Sequence, residues 1–299
     1  MPESMTEETE ERTEHKGLKK GLYLLPSAFT AANIAMGFLA IIWSVRGFQI
    51  VAEKAEKASA YFDYAAVAIG LAILFDTLDG RVARMTKTTT EIGVQLDSFA
   101  DVLTFGVAPI VLGYSWAIGA VYNEQNQIHG IGVFVLFMYV MCGAFRLARF
   151  NLQALRPRVL KEGSAHVDKK NFVGLPIPPS AGLLASIIHF NPMPLNHYGE
   201  AGGYYAILIM LLMAVLGFLM VSTLRYSSFK SAGTGRSSIY LIIGLAAFAM
   251  GVWLYSKYVL LILSIIYVSH GIIWYLISLL RKPKQEEPEI TEQNLDTVS

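Results

Sequence analysis

Long apolar runs separated by short polar loops dominate the chain. They fall at about 27–47, 62–85, 93–120, 130–151, 176–191, 203–224, 238–256 and 258–280. Most reach the roughly 20 residues that a helix needs to cross a bilayer. A repeated pattern of this kind predicts an all-α, polytopic transmembrane helical bundle of about eight spans. The fifth run is short and opens at Pro176-Ile-Pro178-Pro179, where proline suits a first helical turn. The turn between the last two runs must be very tight. Ahead of the first run, residues 16–26 put Leu18, Leu22 and Leu25 on one face beside three lysines. That pattern predicts a short juxtamembrane helix lying in the interface, with an ordinary basic flank of the first span as the alternative.

Composition agrees with the pattern. Of 299 residues 54% are hydrophobic and only 16% charged, against about 25% charged in ordinary soluble domains. The net charge of +1 argues for neither nucleic acid nor a globally basic membrane-surface protein. Residues 1–15 are acidic, rich in Thr and Glu, and lack the basic start and apolar core of a signal peptide. Residues 282–299 are similarly polar, so both ends are expected to be disordered, leaving 16–281 as a single transmembrane domain. Cys142 is the one cysteine and lies in an apolar run, so an intrachain disulfide is excluded. Twenty of the 24 Lys and Arg residues fall in segments that share one side if the N-terminus is cytosolic; only Arg46, Lys54, Lys57 and Lys257 fall on the other. The positive-inside rule then places both termini and the 81–91 loop in the cytosol.

Four carboxylates interrupt this apolar pattern. Asp76, Asp79, Asp97 and Asp101 lie where the second run ends and the third begins, and aspartate within a spanning helix costs a few kcal/mol, which marks a functional site. At about 100° per residue, Asp76 and Asp79 stand about 60° apart and Asp97 and Asp101 about 40° apart. Gly80 and Ala83 share the face of Asp76, and Gly93 and Ala100 share that of Asp97 and Asp101. Each helix so presents two acids on a surface cleared of bulk. Two such faces turned together make an oxygen-rich pocket suited to Mg²⁺ or Mn²⁺. The competing reading, acids that snorkel to the interface, does not require a second acid one turn away.

Other polar residues gather near the same level. Arg146 and Arg149 are one turn apart at the end of the fourth run, followed by Asn151. They anchor the span as positive-inside residues or form a cationic subsite for a carboxylate or phosphate. Asn171–Ser180 follows the basic loop and either caps the pocket or serves only as a helix entry. Thr30 and Asn33 are one turn apart on the first span and either hydrogen-bond a cytosine edge or pack between helices. The histidines do not cluster and none has zinc spacing. No cysteine, histidine or serine constellation points to a covalent intermediate.

The run Asp76-xx-Asp79-Gly80-xx-Ala83-Arg84-x8-Gly93-xxx-Asp97-xxx-Asp101 resembles the signature of the CDP-alcohol phosphotransferases. Residues 25–33, Gln95–Pro109, Phe145–Asn151 and Phe172–Ala181 further resemble one branch of it, the phosphatidylserine synthases. The likeness spans roughly residues 20–190, with Ser27 where the branch usually has asparagine and Thr104 where it usually has serine.

The resemblance implies that residues 16–281 form one catalytic domain and that the four aspartates hold a two-metal site. Gly80, Ala83 and Gly93 would make room for the cytidine nucleotide, and Arg84 would hold phosphate oxygens or an aspartate. Asp101 would be the general base. CDP-diacylglycerol would enter from the membrane lipids of the inner leaflet, L-serine would attack, and phosphatidylserine and CMP would leave by direct displacement. A multi-pass location in the cell membrane, an active site facing the cytosol and a homodimer are expected. Glycerol phosphate, inositol phosphate or choline are alternative acceptors. A cation-coupled transporter is the alternative from another class, although transporter sites lie near the midplane between repeats.

Overall fold

The computed structural model describes residues 28–86, 91–155, 171–227 and 237–280. The expected interfacial helix at 16–26 and both expected disordered ends lie outside them. Helix α1 is Ala28–Ile50 and α2 is Ala55–Thr86. Helix α3 opens at Glu91–Asp101 and runs on to Val121 through π-helical stretches at Val102–Val107 and Tyr114–Ile118. Then come α4 (Gln127–Leu155), α5 (Ile177–Phe190), α6 (Glu200–Val221) and α7 (Ser237–Leu280). Two three-residue strands, β1 (Asn171–Val173) and β2 (Arg225–Ser227), pair antiparallel with Phe172 opposite Tyr226. The protein is a multi-pass helical bundle, as the apolar pattern predicts.

The count of spans is where expectation and structure part. Six stretches of the described residues are long and apolar enough to cross a membrane. The fifth expected span, α5, has 14 residues, about 21 Å of helix against a hydrocarbon core of about 30 Å. The last two expected spans join in α7, whose Tyr255 leaves the helical region (φ −137°, ψ 43°). A Cβ on Gly251 would lie 3.6 Å from Cγ2 of Val259, whereas eight residues of straight helix cover about 12 Å. Helix α7 therefore folds back on itself at Tyr255.

Helices α3 and α5 form the interior. Phe105, Leu112, Trp116 and Ile118 of α3 and Ile177, Leu184 and Ile188 of α5 are all buried. Helix α2 turns a stripe towards them, Ala58, Phe62, Ala65, Ile69 and Ala72, at the spacing of one helical face. Its small residues admit close packing. Phe134, Phe137 and Phe145 on α4 and Leu208, Leu211 and Phe218 on α6 face outward, as lipid-facing residues do.

Pro109 accounts for the first π-helical stretch. It lacks an N–H and its ring crowds the carbonyl four residues back, that of Phe105, so the helix widens locally. The buried Tyr139 hydroxyl of α4 donates to that carbonyl at 3.3 Å. At the bundle end away from the aspartates, His189 of α5 links Asp63 of α2 (Nδ1···Oδ1 2.6 Å) to Ser256 of α7 (Nε2···Oγ 2.9 Å). Three helices meet in this one polar clasp.

The fold-back of α7 is open to a chemical test. In a Cys142→Ala background, Gly251→Cys with Val259→Cys should form a disulfide on mild oxidation, read as the loss of two thiol hydrogens in the intact mass. A straight helix would leave both thiols free.

Candidate active site

The inner end of α2 and the first turns of α3 bring three acids together. Asp76, Asp97 and Asp101 each offer a carboxylate oxygen within 4.8 Å of the others. Asp79, about 60° round α2 from Asp76, is buried and accepts a hydrogen bond from the Thr30 hydroxyl of α1. It stays within electrostatic reach of Asp76 and Asp97. The expected four-acid pocket is thus a cluster of three with a fourth carboxylate tied to α1.

Bare carboxylates at this spacing repel by about 3 kcal/mol per pair at an effective dielectric of about 20. A hard cation offsets that repulsion, and the donor set is all oxygen, as Mg²⁺ and Mn²⁺ prefer. Oδ1 of Asp101 is buried with no hydrogen-bond partner among the described residues. The cluster fits a divalent metal.

Asn33 lies one turn beyond Thr30 on α1 and is 1% exposed. Both polar atoms of its side-chain amide lack partners among the described residues. A buried amide left unsatisfied costs about 1–3 kcal/mol unless something meets it, so this one is free to receive a ligand. Its backbone carbonyl accepts from Thr104 Oγ1 at 3.3 Å, which joins α1 to the π-helical stretch of α3. A Cβ on Gly37 would stand 2.4 Å from that same Oγ1; only glycine allows the approach.

The fourth helix sends its polar residues in three directions. Arg146 lies beside Asp101 and Tyr267, with its Nε unpartnered among the described residues. Arg149 donates from Nη1 to the Val221 carbonyl of α6 at 3.4 Å. Asn151 donates from Nδ2 to Ser98 Oγ at 3.0 Å, between Asp97 and Asp101 on α3. The two arginines expected to act together therefore have different partners. Gly80 and Gly93 lie half-buried near the acids; Ala83 and Arg84 belong to α2, but their side chains fall outside the described residues.

Sequence reasoning missed Tyr267, which lies in an unbroken apolar run with nothing to distinguish it. It also missed the Asp63–His189–Ser256 clasp, whose members are far apart in sequence. Asp63 lies 13 positions before Asp76 on α2, about 20 Å along the helix, so the clasp is separate from the aspartate cluster.

Known proteins share this chain's sequence along most of its length. The CDP-diacylglycerol–serine O-phosphatidyltransferase of Helicobacter pylori (strain ATCC 700392 / 26695) is 33% identical over 256 residues, covering 85% of this chain and 92% of that protein. The protein of the same name from Methanocaldococcus jannaschii is 33% identical over 210 residues, 70% of this chain and 82% of its own. The archaetidylserine synthase of Methanothermobacter thermautotrophicus is 31% identical over 215 residues, 71% and 73% respectively. The profile of one family matches residues 23–280, every described helix and the aspartate cluster included: the chain belongs to the CDP-alcohol phosphatidyltransferases.

Proposed function

We propose that the chain transfers the phosphatidyl group of CDP-diacylglycerol to the hydroxyl of L-serine, giving phosphatidylserine and CMP. One observation carries the reading. Three acids meet within 4.8 Å at the inner ends of α2 and α3, between an unsatisfied buried amide at Asn33 and the cation of Arg146. The names of the relatives from Helicobacter pylori and Methanocaldococcus jannaschii supply the acceptor, serine.

In this reading Asp76, Asp97 and Asp101, with Asp79 beside them, would hold the divalent metals of a two-metal site. Bound there, Mg²⁺ or Mn²⁺ would neutralise the pyrophosphate and the departing CMP. Asn33, with Thr30 behind it, receives the cytosine edge. Gly80, Ala83 and Gly93 leave room for the nucleotide, and Arg84 meets phosphate oxygens. Arg146 pairs with the serine carboxylate, and Asn151 steadies α3 through Ser98. Asp101 takes the proton of the serine hydroxyl as its oxygen bonds to the phosphorus that bears diacylglycerol. The bond from that phosphorus to the bridging oxygen breaks, and CMP leaves with the electron pair.

The site is proposed to face the cytosol from the cell membrane. Twenty of 24 Lys and Arg residues fall in sequence segments that the order of apolar runs assigns to the side of the 81–91 loop, and the positive-inside rule makes that side cytosolic.

Purified full-length protein given CDP-diacylglycerol, Mg²⁺ or Mn²⁺ and a panel of labelled alcohols should label lipid with L-serine and release equal CMP. Lipid formed only with glycerol phosphate, inositol phosphate or choline would reassign the acceptor. CMP without lipid would refute a transferase.

Asp101→Asn should lower kcat by about 10²–10⁴, the usual worth of a general base, while Mn²⁺ still binds by electron paramagnetic resonance. Asp97→Asn should weaken Mn²⁺ binding itself. Loss of Mn²⁺ binding in Asp101→Asn would make that residue a ligand first.

Single cysteines at 160–168 in a Cys142→Ala background should resist a membrane-impermeant maleimide applied to intact cells, and those at 194–200 should react. The reverse pattern would invert the orientation.

A further inference from the structure

Arg146 and Arg149 stand one turn apart on α4, yet the fold gives them unlike surroundings. Arg149 reaches the C-terminal end of α6, where Nη1 donates to the Val221 carbonyl. The last carbonyls of a helix lack intrahelical donors and carry its partial negative charge, so a guanidinium is stabilised there twice over. The same end of α6 holds the turn that leads into α5. Gly174 has φ +84°, its N–H donates to the Leu224 carbonyl at 2.8 Å, and that of Leu175 donates to the Leu219 carbonyl at 3.0 Å. A Cβ on Gly174 would lie 2.4 Å from the Met220 carbonyl oxygen and 3.3 Å from Nη2 of Arg149. The guanidinium thus bonds the helix end and occupies the space beside the turn that a side chain at 174 would enter.

Three residues before Arg146, α4 meets the start of α5: a Cβ on Gly143 would lie 3.7 Å from Cδ1 of Ile177. Arg146 is therefore bracketed. One turn before it α4 rests on Ile177, and one turn after it α4 is tied to α6 and the Gly174 turn.

We propose that Arg149 is a positioning residue that never meets substrate: it locks the Gly174 turn to the end of α6 and thereby holds Arg146 against Asp101. Arg146 is then the one member of the pair that contacts the acceptor. This deepens the acceptor reading given above and rests on it.

The test compares full-length Arg149→Ala, Arg149→Lys, Gly174→Ala and Arg146→Lys by hydrogen exchange and by kinetics. Arg149→Ala and Gly174→Ala should both speed exchange at the Gly174 and Leu175 amides. Both should lower kcat about tenfold while the KM for serine moves less than about threefold, the signature of lost positioning rather than lost ground-state binding. Arg149→Lys, which keeps the charge at the helix end, should recover much of the kcat. Arg146→Lys should instead raise the KM for serine, since an ammonium cannot reproduce the bidentate contact.

Unchanged exchange in Arg149→Ala overturns the lock. So does a rise in the KM for serine in Arg149→Ala that Gly174→Ala does not share. Faster exchange with unaltered kcat would make the contact purely structural and overturn the positioning role. If wild-type protein makes no lipid from serine, the acceptor reading fails, while the exchange result still decides the lock.

Discussion

Three carboxylates within 4.8 Å of one another, inside an apolar bundle, are the constraint on which the inner end of this protein depends. Were all three ionised, each pair would repel by about 3 kcal/mol at an effective dielectric of about 20. Arg146 brings one positive charge to Asp101, too little to balance the cluster. Asp79, held by a hydrogen bond from Thr30, adds a further carboxylate within electrostatic reach of Asp76 and Asp97. A divalent cation would meet the imbalance that remains.

The cluster also depends on how α3 is held. Asp101 ends the regular part of that helix and the π-helical stretch begins at the next residue. Pro109 forces the widening, Tyr139 satisfies the carbonyl it strands, and Thr104 ties the widened turn to α1 across Gly37. The stretch is thus pinned from both sides. This fixes the rotation of α3 and with it the direction in which Asp97 and Asp101 point.

Much of this was legible in the sequence. The helical bundle follows from apolar run length, and the convergence of Asp76, Asp97 and Asp101 follows from helical phase together with the cleared surface at Gly80, Ala83, Gly93 and Ala100. The tie of Asp79 to Thr30 was not legible, because an offset of about 60° from Asp76 read as two acids presented to one pocket. Run length could not deliver the span count. A 14-residue α5 is buried rather than spanning by length, whereas the fold-back at Tyr255 falls where the boundary between the last two runs called for a tight turn. The different partners of Arg146 and Arg149 were not legible either. Residues one turn apart share a face only approximately, and the end of α6 happens to lie within reach of one of them.

The two ends of the bundle separate the work of folding from the work of chemistry. At the end away from the aspartates Asp63, His189 and Ser256 satisfy one another across three helices. That arrangement stabilises the packing, and a ligand could gain nothing there without breaking it. At the aspartate end the polar groups are left wanting. Of the six buried side-chain polar atoms that have no hydrogen-bond partner among the described residues, four belong to Asn33, Asp101 and Arg146. A buried polar group without a partner is costly, and the cost falls on three helices that face one pocket. Such a pattern has a physical reason when the missing partners arrive with the substrates. The bundle is then less stable empty than filled, and occupancy of the site tightens the packing of α1, α3 and α4 around it.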